Sequence, residues 1–140
     1  MAVTRRRYLI DNSALARYNK PEVAQALGPK IARGLIGICI VTEIEAGHSA
    51  RSTADYDALQ EFARELVPVE ITPRAELRAR AIQERLVHAG QHRAVAVPDI
   101  LLAAVAHEER LTVLHYDADF DLIAQTTGQA TEWVVPRGSV

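Results

Sequence analysis

Residues 35–41 read Leu35-Ile36-Gly37-Ile38-Cys39-Ile40-Val41, an apolar run of strand length that an acid, Glu43, follows two residues later. A run that is apolar on both faces is typical of a central strand in a parallel sheet covered by helices. Thr42 has a side chain suited to capping a helix that begins directly after the strand. This stretch therefore predicts a buried parallel strand that leads into a helix.

The rest of the chain repeats this alternation of short apolar runs and helical patterns. Further strands are predicted at residues 7–11, 67–71, 111–116 and 132–135. Helices are predicted directly after Thr42 and at residues 12–18, 21–27, 55–66, 74–88, 100–107 and 117–125. Such alternation indicates βαβ units, so we expect a three-layer α/β/α sandwich around a mostly parallel five-stranded sheet. We expect residues 1–140 to form a single domain.

Two local details accompany this prediction. Gly28-Pro29 is expected to end the second helix, because glycine and proline together are strong helix breakers. In the long helix at residues 74–88, Leu77, Ala81, Leu86 and Val87 are expected to face the core.

Composition restricts where the protein works. Apolar residues make up 49% of the 140 residues and the formal net charge is -2, which is typical of a globular chain. Cys39 is the sole cysteine, so no intrachain disulfide can form, which agrees with a reducing compartment. No apolar stretch approaches the roughly 20 residues that span a membrane. The apolar run after Arg5-Arg6-Arg7 meets Asp11 too soon for a signal peptide. We expect a cytoplasmic protein.

Four acids, Asp11, Glu43, Asp99 and Asp117, each lie where a predicted strand stops or a helix begins. The carboxyl ends of parallel strands share one crevice, so these side chains can meet in space. Like charges that meet must share a proton or a cation, and oxygen-only ligands favour Mg²⁺ or Mn²⁺. Each acid alone also fits a helix cap or a complement to a helix dipole. The four together predict a metal-dependent enzyme that acts on phosphates.

Other polar residues carry weaker signals. Glu45 lies two residues from Glu43 and points to another side of its helix, so we expect it to be solvated or paired with an arginine. Asp119 either approaches the crevice or solvates a helix start, and Asp121 is expected at the surface. Trp133 and Tyr116 are expected to pack in the core or at the sheet edge. The five histidines lack zinc-ligand spacing.

Four stretches resemble, in order, the motifs of PIN-domain ribonucleases. They are residues 9–15 (LIDNSAL), 42–47 (TEIEAG), 98–104 (PDILLAA) and 115–120 (HYDADF). Each motif is weak by itself, but the ordered set covers essentially the whole chain. The length resembles that of the VapC-like toxins of bacterial toxin–antitoxin pairs.

The resemblance implies a function and roles for individual residues. It implies that Asp11, Glu43, Asp99 and Asp117 hold Mg²⁺ or Mn²⁺, with Asp119 assisting. Ser13 matches the hydroxyl residue that hydrogen-bonds those carboxylates, whereas Asn12 stands where the family often has Thr or Ser. The implied activity is metal-assisted hydrolysis of RNA by an endoribonuclease.

The resemblance also implies partners. It implies RNA as substrate, a VapB-like antitoxin that inserts a basic side chain among the acids, and a homodimer. Residues 18–27 and 56–66 are candidates for the antitoxin groove, although ordinary core helices explain them equally well. The RNA-binding residues are unknown: Arg74, Arg78, Arg85 and Arg93 fit a rim contact or a solvated helix face. Residues 135–139 (VPRGS) resemble a protease-site tag, so no role is expected for them.

Several rival functions conflict with the sequence. A phosphoacceptor signalling domain needs a late lysine, and none follows Lys30. A phosphatase with two aspartates after its first strand is opposed by Ser13, and a nucleotide-binding fold by the lack of a glycine-rich turn there. The remaining alternative is a catalytically silent PIN-like module that binds RNA or protein.

Overall fold

The computed structural model describes residues 6–140, and Arg5 of the basic N-terminal run lies outside the described residues. Within them, five strands and seven helices follow one another as predicted. The strands are β1 Tyr8–Ile10, β2 Ile36–Cys39, β3 Val67–Val69, β4 Thr112–His115 and β5 Thr131–Trp133. The helices are α1 Asn12–Leu15, α2 Pro21–Ala32, α3 Ile40–His48, α4 Thr53–Ala63, α5 Pro73–His88, α6 Val97–Glu108 and α7 Asp119–Thr127.

The strands form one sheet in the order β3-β2-β1-β4-β5, and every neighbouring pair is parallel. The predicted α/β fold with a five-stranded parallel sheet is therefore confirmed. β1 and β4 are neighbours, with Ile10 opposite Leu114. Because their carboxyl ends lie side by side, the residues that follow β1 come next to those that follow β4. This is the edge at which the predicted acids were expected to meet.

Alternating side chains of the sheet enter two separate hydrophobic clusters. Leu9 packs with α5, α6 and α7 through residues such as Leu86 and Phe120. Ile10, the next residue, packs on the other face with Leu15 of α1 and Leu27 of α2. The period of two along β1 thus produces the three layers.

Helix α2 does not end at Gly28-Pro29, so that prediction is wrong. Pro29 lies inside the helix, which continues to Ala32. The end comes where Gly34 adopts a left-handed backbone with φ 68° and donates its N–H to the Ile31 carbonyl. That backbone conformation favours glycine, and Gly28 does not adopt it.

Thr42 does not cap α3, because that helix already begins at Ile40 with Cys39 at its N-cap position. The Thr42 side chain is fully buried, and its hydroxyl donates to the Ile10 carbonyl at 2.8 Å. The bond fixes the first turn of α3 to the carboxyl end of β1. α3 is thereby held beside Asp11.

The buried face of α5 differs from the predicted one. Its buried residues are Ala75, Ala79, Ile82 and Leu86, whereas Leu77 is 66% exposed and Val87 is 46% exposed. Of the residues predicted to face inward, Leu86 is therefore buried, whereas Leu77 and Val87 are exposed. Within residues 6–140, no helix combines the length and the apolar character needed to cross a bilayer.

The C-terminal segment, for which no role was expected, packs against the sheet. Val134 and Val135 are buried in the cluster that contains Ile10. Gly138 donates its N–H to the Tyr116 hydroxyl at 2.8 Å, and this hydroxyl donates to the Val140 carbonyl at 2.9 Å. The segment therefore belongs to the folded structure.

Candidate metal centre at the carboxyl edge of the sheet

Asp99 is the most unusual side chain at this edge. It lies in the first turn of α6, is only 5% exposed, and its Oδ2 has no hydrogen-bond partner among residues 6–140. The pKa of Asp99 is raised to about 8, mainly by burial and then by the charges of Asp11 and Asp117. A buried carboxylate that lacks a compensating partner is costly. The Asp99 carboxyl therefore keeps its proton at neutral pH unless a cation takes the proton's place.

Asp117, in the turn between β4 and α7, and Asp119, the first residue of α7, face Asp99. One carboxylate oxygen from each of the three residues lies within 4.8 Å of the other two. The Asp119 N–H donates to Asp117 Oδ1 at 2.9 Å, and Asp119 Oδ2 accepts from the Ala96 N–H at 3.3 Å. These bonds hold the turn against the start of α6 and keep the three carboxylates together.

Asp11 follows β1 directly and is 4% exposed. Its Oδ2 accepts from the backbone N–H of Ser13 at 2.9 Å and from the Ser13 hydroxyl. The same hydroxyl accepts from the Tyr116 N–H at 2.9 Å, so Ser13 joins Asp11 to the end of β4. Burial raises the pKa of Asp11, the bonds from Ser13 oppose that rise, and the charge of Asp117 adds to it.

His115 lies beneath Asp117 and is completely buried. Its Nδ1 accepts from the Asp117 N–H at 3.1 Å, so the ring proton is on Nε2, for which residues 6–140 provide no acceptor. The rings of Phe120 and Trp133 each lie 5.0 Å from the imidazole. Burial lowers the pKa of His115, which keeps the imidazole neutral and its Nδ1 free to accept.

The two acids of α3, Glu43 and Glu45, relate differently to the acid cluster. The half-buried Glu45 has a pKa raised by burial and then by the charges of Asp11 and Asp117, so it belongs electrostatically to this group. Glu43 forms no hydrogen bond or ion pair with residues 6–140. The pKa of the buried Cys39 thiol is raised mainly by burial, and the charge of Glu43 adds a smaller contribution. Of the two roles expected for Glu45, an ion pair with an arginine is absent among residues 6–140, whereas its partial exposure agrees with the other, a solvated acid.

The donor set is suited to a hard divalent cation. It consists of carboxylate oxygens alone, one of them buried without a hydrogen-bond donor. No basic side chain of residues 6–140 forms an ion pair with Asp11, Asp99, Asp117 or Asp119. Buried charges are normally paired or coordinate a metal. The cluster can therefore hold a divalent cation.

Arg17 is a basic side chain next to this cluster that sequence reasoning did not select. Its Nη1 donates to the Ser13 carbonyl at 2.7 Å, and its guanidinium lies 4.5 Å from the centre of the Tyr116 ring. Its spacing in the sequence could have identified it, because Arg17 follows Ser13 by four residues, about one helical turn, and residues so spaced are neighbours on a helix.

Two of the arginines predicted as rim candidates lie elsewhere. Arg74 and Arg78 form ion pairs with Glu108 at 3.4 Å and 3.2 Å. Glu108 ends α6, nine residues from Asp99, which is about 14 Å along the helix. Arg85 and Arg93 are exposed.

A family model described as PIN domain matches residues 8–125 of the chain. The chain belongs to the PIN-domain family.

Relatives within this PIN-domain family support the assignment over nearly the full length. Ribonuclease VapC21 of Mycobacterium tuberculosis is 43% identical over 134 residues, covering 95% of this chain and 97% of the relative. Ribonuclease VapC51 of the same organism is 40% identical over 134 residues, covering 96% and 97%. The resemblance seen in the four motifs is thus confirmed.

Solved structures share the PIN-domain fold at low sequence identity. The DNA-bound VapBC complex from Salmonella typhimurium contains a chain with a TM-score of 0.80 and 19% identity, covering 93% of this chain and 99% of that one. VapBC-5 from Mycobacterium tuberculosis gives a TM-score of 0.67 and 22% identity, covering 94% and 98%. These likenesses concern the fold.

The predicted site residues of the PIN domain divide into two groups. Asp99, Asp117 and Asp119 are brought together, and Asp11 adjoins them through Ser13 and through its charge. Glu43 has no such link among residues 6–140 and stays a prediction from its motif. His115 and Glu45 were missed as members of the site. Their burial depends on tertiary packing, which one sequence does not show.

Proposed function

We propose that this PIN-domain protein is a divalent-metal-dependent endoribonuclease and the toxin of a toxin–antitoxin pair. The observation that carries the proposal is the buried, unpartnered Asp99 Oδ2 among Asp11, Asp117 and Asp119. Support comes from relatives up to 43% identical that are named ribonucleases and cover the chain almost completely. The cation is Mg²⁺ or Mn²⁺, since hard oxygen ligands suit both.

Each residue of the site has a task in this proposal. Asp99, Asp117 and Asp119 hold the cation together with Asp11, and the motif assigns Glu43 to the same group. When bound, the cation supplies Lewis acidity at a phosphodiester oxygen and a water molecule of lowered pKa. Asp99 gives up its proton as the cluster fills, because like charges need a shared cation.

The neighbouring residues orient these carboxylates and the substrate. Ser13 fixes the rotamer of Asp11 through two donated hydrogen bonds. His115 fixes the backbone of Asp117 through its accepting Nδ1. Arg17 lies beside both segments and presents a guanidinium to the phosphate chain, which arginine binds well.

The partner is an antitoxin peptide that occupies an apolar groove between α2 and α4. The groove has a volume of about 410 Å³, and Leu27, Ile31 and Phe62 are among the residues that line it. Tyr18 also lines the groove and stacks on Phe62 with ring centres 4.7 Å apart. The groove coincides with the segments that the sequence offered for this role. An amphipathic helix laid into such a groove is a common mode of peptide recognition.

We also expect a homodimer and a cytoplasmic location. Ile40 and Ile44 lie one turn apart on α3 and are 50% and 66% exposed, which offers an apolar face to a second copy. An RNA substrate is consistent with the cytoplasm. The mass of the purified chain in solution tests the dimer.

A nuclease assay with metal removal tests the function. Wild type should cleave single-stranded RNA with Mg²⁺ or Mn²⁺, stop in EDTA, and recover when the metal is restored. Asp99→Asn should lose at least about 100-fold in rate, whereas Asp57→Asn, an exposed acid on α4, should not. Cleavage that persists in EDTA would reject the metal mechanism, whereas an inactive wild type would favour the catalytically silent PIN-like module.

A further inference from the structure

We propose that the cavity between α1, α3 and α4 binds one nucleotide of the RNA chain next to the cleaved phosphate. This inference rests on the proposed ribonuclease function. The cavity, here called the α1–α4 cavity, has a volume of about 570 Å³. That volume lies within the roughly 300–1,000 Å³ typical of small-ligand sites.

The position of the cavity favours a role beside the acid cluster. Asn12 and Ala46 both line it. Asn12 follows Asp11 directly, and Ala46 lies on α3, whose Thr42 hydroxyl donates to the Ile10 carbonyl next to Asp11. A nucleotide in this cavity would therefore continue a chain whose phosphate lies at the carboxylates.

The polar groups of the cavity are those that read a nucleotide. The side chains of Asn12, Asn19 and Arg51 line it and form no hydrogen bond with residues 6–140. An asparagine amide offers both donors and an acceptor to a base edge. Arg51 is exposed, has no ion pair within the same residues, and suits a phosphate.

The framework of the cavity is fixed independently of any ligand. Ser52 caps α4 by accepting from the Asp55 N–H at 3.0 Å, and Asp55 Oδ2 accepts from the Arg51 N–H at 3.0 Å. Tyr18 supplies a wall whose ring is already stacked on Phe62. A preorganised site loses less entropy when a ligand binds.

A nucleotide fits this cavity better than a peptide does. The apolar groove between α2 and α4 shares Tyr18 with this cavity and offers mainly carbon atoms to a partner. The α1–α4 cavity instead offers amides, hydroxyls, a guanidinium and the carboxylate of Asp55, which the Arg51 N–H already bonds. Sequence-specific recognition of single-stranded RNA usually places unstacked bases in such polar pockets.

Mapping of cleavage ends on a randomised single-stranded RNA pool tests the inference. Wild type should prefer certain bases at one position beside the cut, and Asn19→Ala should reduce that preference about tenfold. Arg51→Ala should raise KM about tenfold with kcat changed less than about twofold. Gln83→Ala on α5 and Arg33→Ala at the end of α2 are exposed matched controls and should behave as wild type.

The outcomes separate this inference from the function on which it rests. An active wild type whose base preference and KM are unchanged by Asn19→Ala and Arg51→Ala overturns the nucleotide site alone. Unchanged cleavage combined with weaker inhibition by a co-expressed antitoxin also overturns it and assigns the cavity to the peptide. A wild type that cleaves no RNA overturns the proposed function together with the inference.

Discussion

At the scale of single residues, the Ser13 hydroxyl bonds two groups that follow different strands. It donates to Asp11 Oδ2 and accepts from the Tyr116 N–H. The hydroxyl therefore sets the position of one carboxylate and joins the end of β1 to the end of β4. Removing it leaves the Tyr116 N–H without that acceptor and leaves Asp11 Oδ2 with only the bond from the Ser13 backbone N–H.

Ser13→Ala is expected to lower both activity and stability. Stability should fall by about 1–3 kcal/mol, the cost of leaving a buried polar group unsatisfied. The kcat/KM for RNA should fall at least about tenfold because Asp11 is no longer held in one rotamer. Ser13→Thr keeps the hydroxyl and should retain most of both. Steady-state kinetics and urea denaturation measure the effects, and an alanine variant equal to wild type would contradict the assigned role.

His115 allows a sharper comparison, because two amide side chains imitate its two nitrogens. The Asn oxygen can take the position of Nδ1, whereas the Gln amide reaches the position of Nε2. Both variants lose ring packing against Phe120 and Trp133 and should be destabilised by a similar amount, about 2–4 kcal/mol.

The activities of these two variants should differ. His115→Asn keeps an acceptor for the Asp117 N–H and should be about tenfold more active than His115→Gln, the equivalent of one hydrogen bond. Rates are compared at a temperature where both proteins are folded by circular dichroism. Equal activities would show that His115 contributes only packing.

At the scale of secondary structure, the strands were predictable and several helix faces were not. The apolar run at residues 35–41 carried enough signal to identify β2, since few other structures bury both faces of so short a segment. The predicted end of α2 at Gly28-Pro29 was wrong because a proline is tolerated when tertiary packing holds the helix around it, here through the buried Leu27. Leu77 was wrongly predicted to face the core because hydrophobicity alone does not decide which face of α5 meets α6.

The candidate site was predictable to the extent that it depends on strand order. Asp11 and Asp117 follow adjacent parallel strands, so their approach follows from the sheet. The choice between Glu43 and Glu45 depends on the rotation of α3 about its axis. The hydrogen bond from the Thr42 hydroxyl to the Ile10 carbonyl fixes that rotation. The sequence pattern predicted a helix cap at Thr42 and therefore did not reveal this bond.

Gly37 in β2 gives a test of how closely the sheet packs against its neighbours. A Cβ added there would lie 2.5 Å from Val69 Cγ2 and 3.4 Å from the carbonyl oxygens of Tyr8 and Val67. Gly37→Ala should therefore destabilise the protein by about 1–3 kcal/mol through overpacking. The measurement is chemical denaturation.

Gly28 is the matched control for this substitution. It lies inside α2, and no atom would lie within 4 Å of an added Cβ. Gly28→Ala should stabilise the protein by about 0.4–1 kcal/mol, because the unfolded chain loses freedom and the helix gains a better former. The account of β2 is wrong if the two alanine variants have the same stability.

At the scale of the whole molecule, the acid cluster makes the stability of the metal-free protein depend on pH. The pKa of Asp99 is raised from 3.8 to about 8, so the native state binds more protons than the unfolded state between these values. Stability must then fall as pH rises through that window and stop falling above about 8. His115 acts oppositely below its ordinary pKa of 6.5, because burial lowers its pKa.

Asp99→Asn should remove this fall in stability. In EDTA, the free energy of unfolding of wild type should decrease from pH 6.5 to 8.5, while that of Asp99→Asn should change less. Subtracting one profile from the other cancels the contribution of His115, which both proteins share. Asp57→Asn serves as the control and should follow wild type. Parallel profiles for wild type and Asp99→Asn would show that Asp99 does not cause the fall in stability with rising pH.

Direct binding of Mn²⁺ to the metal-free protein at pH 8 tests most directly whether the carboxylates form one cation site. Calorimetric titration should detect Mn²⁺ binding to wild type and to Asp57→Asn, with affinity that falls as pH is lowered because protons compete for Asp99. Asp99→Asn and Asp117→Asn should each weaken binding at least about tenfold. Binding of equal strength to all four proteins, or no binding to wild type, would contradict the account.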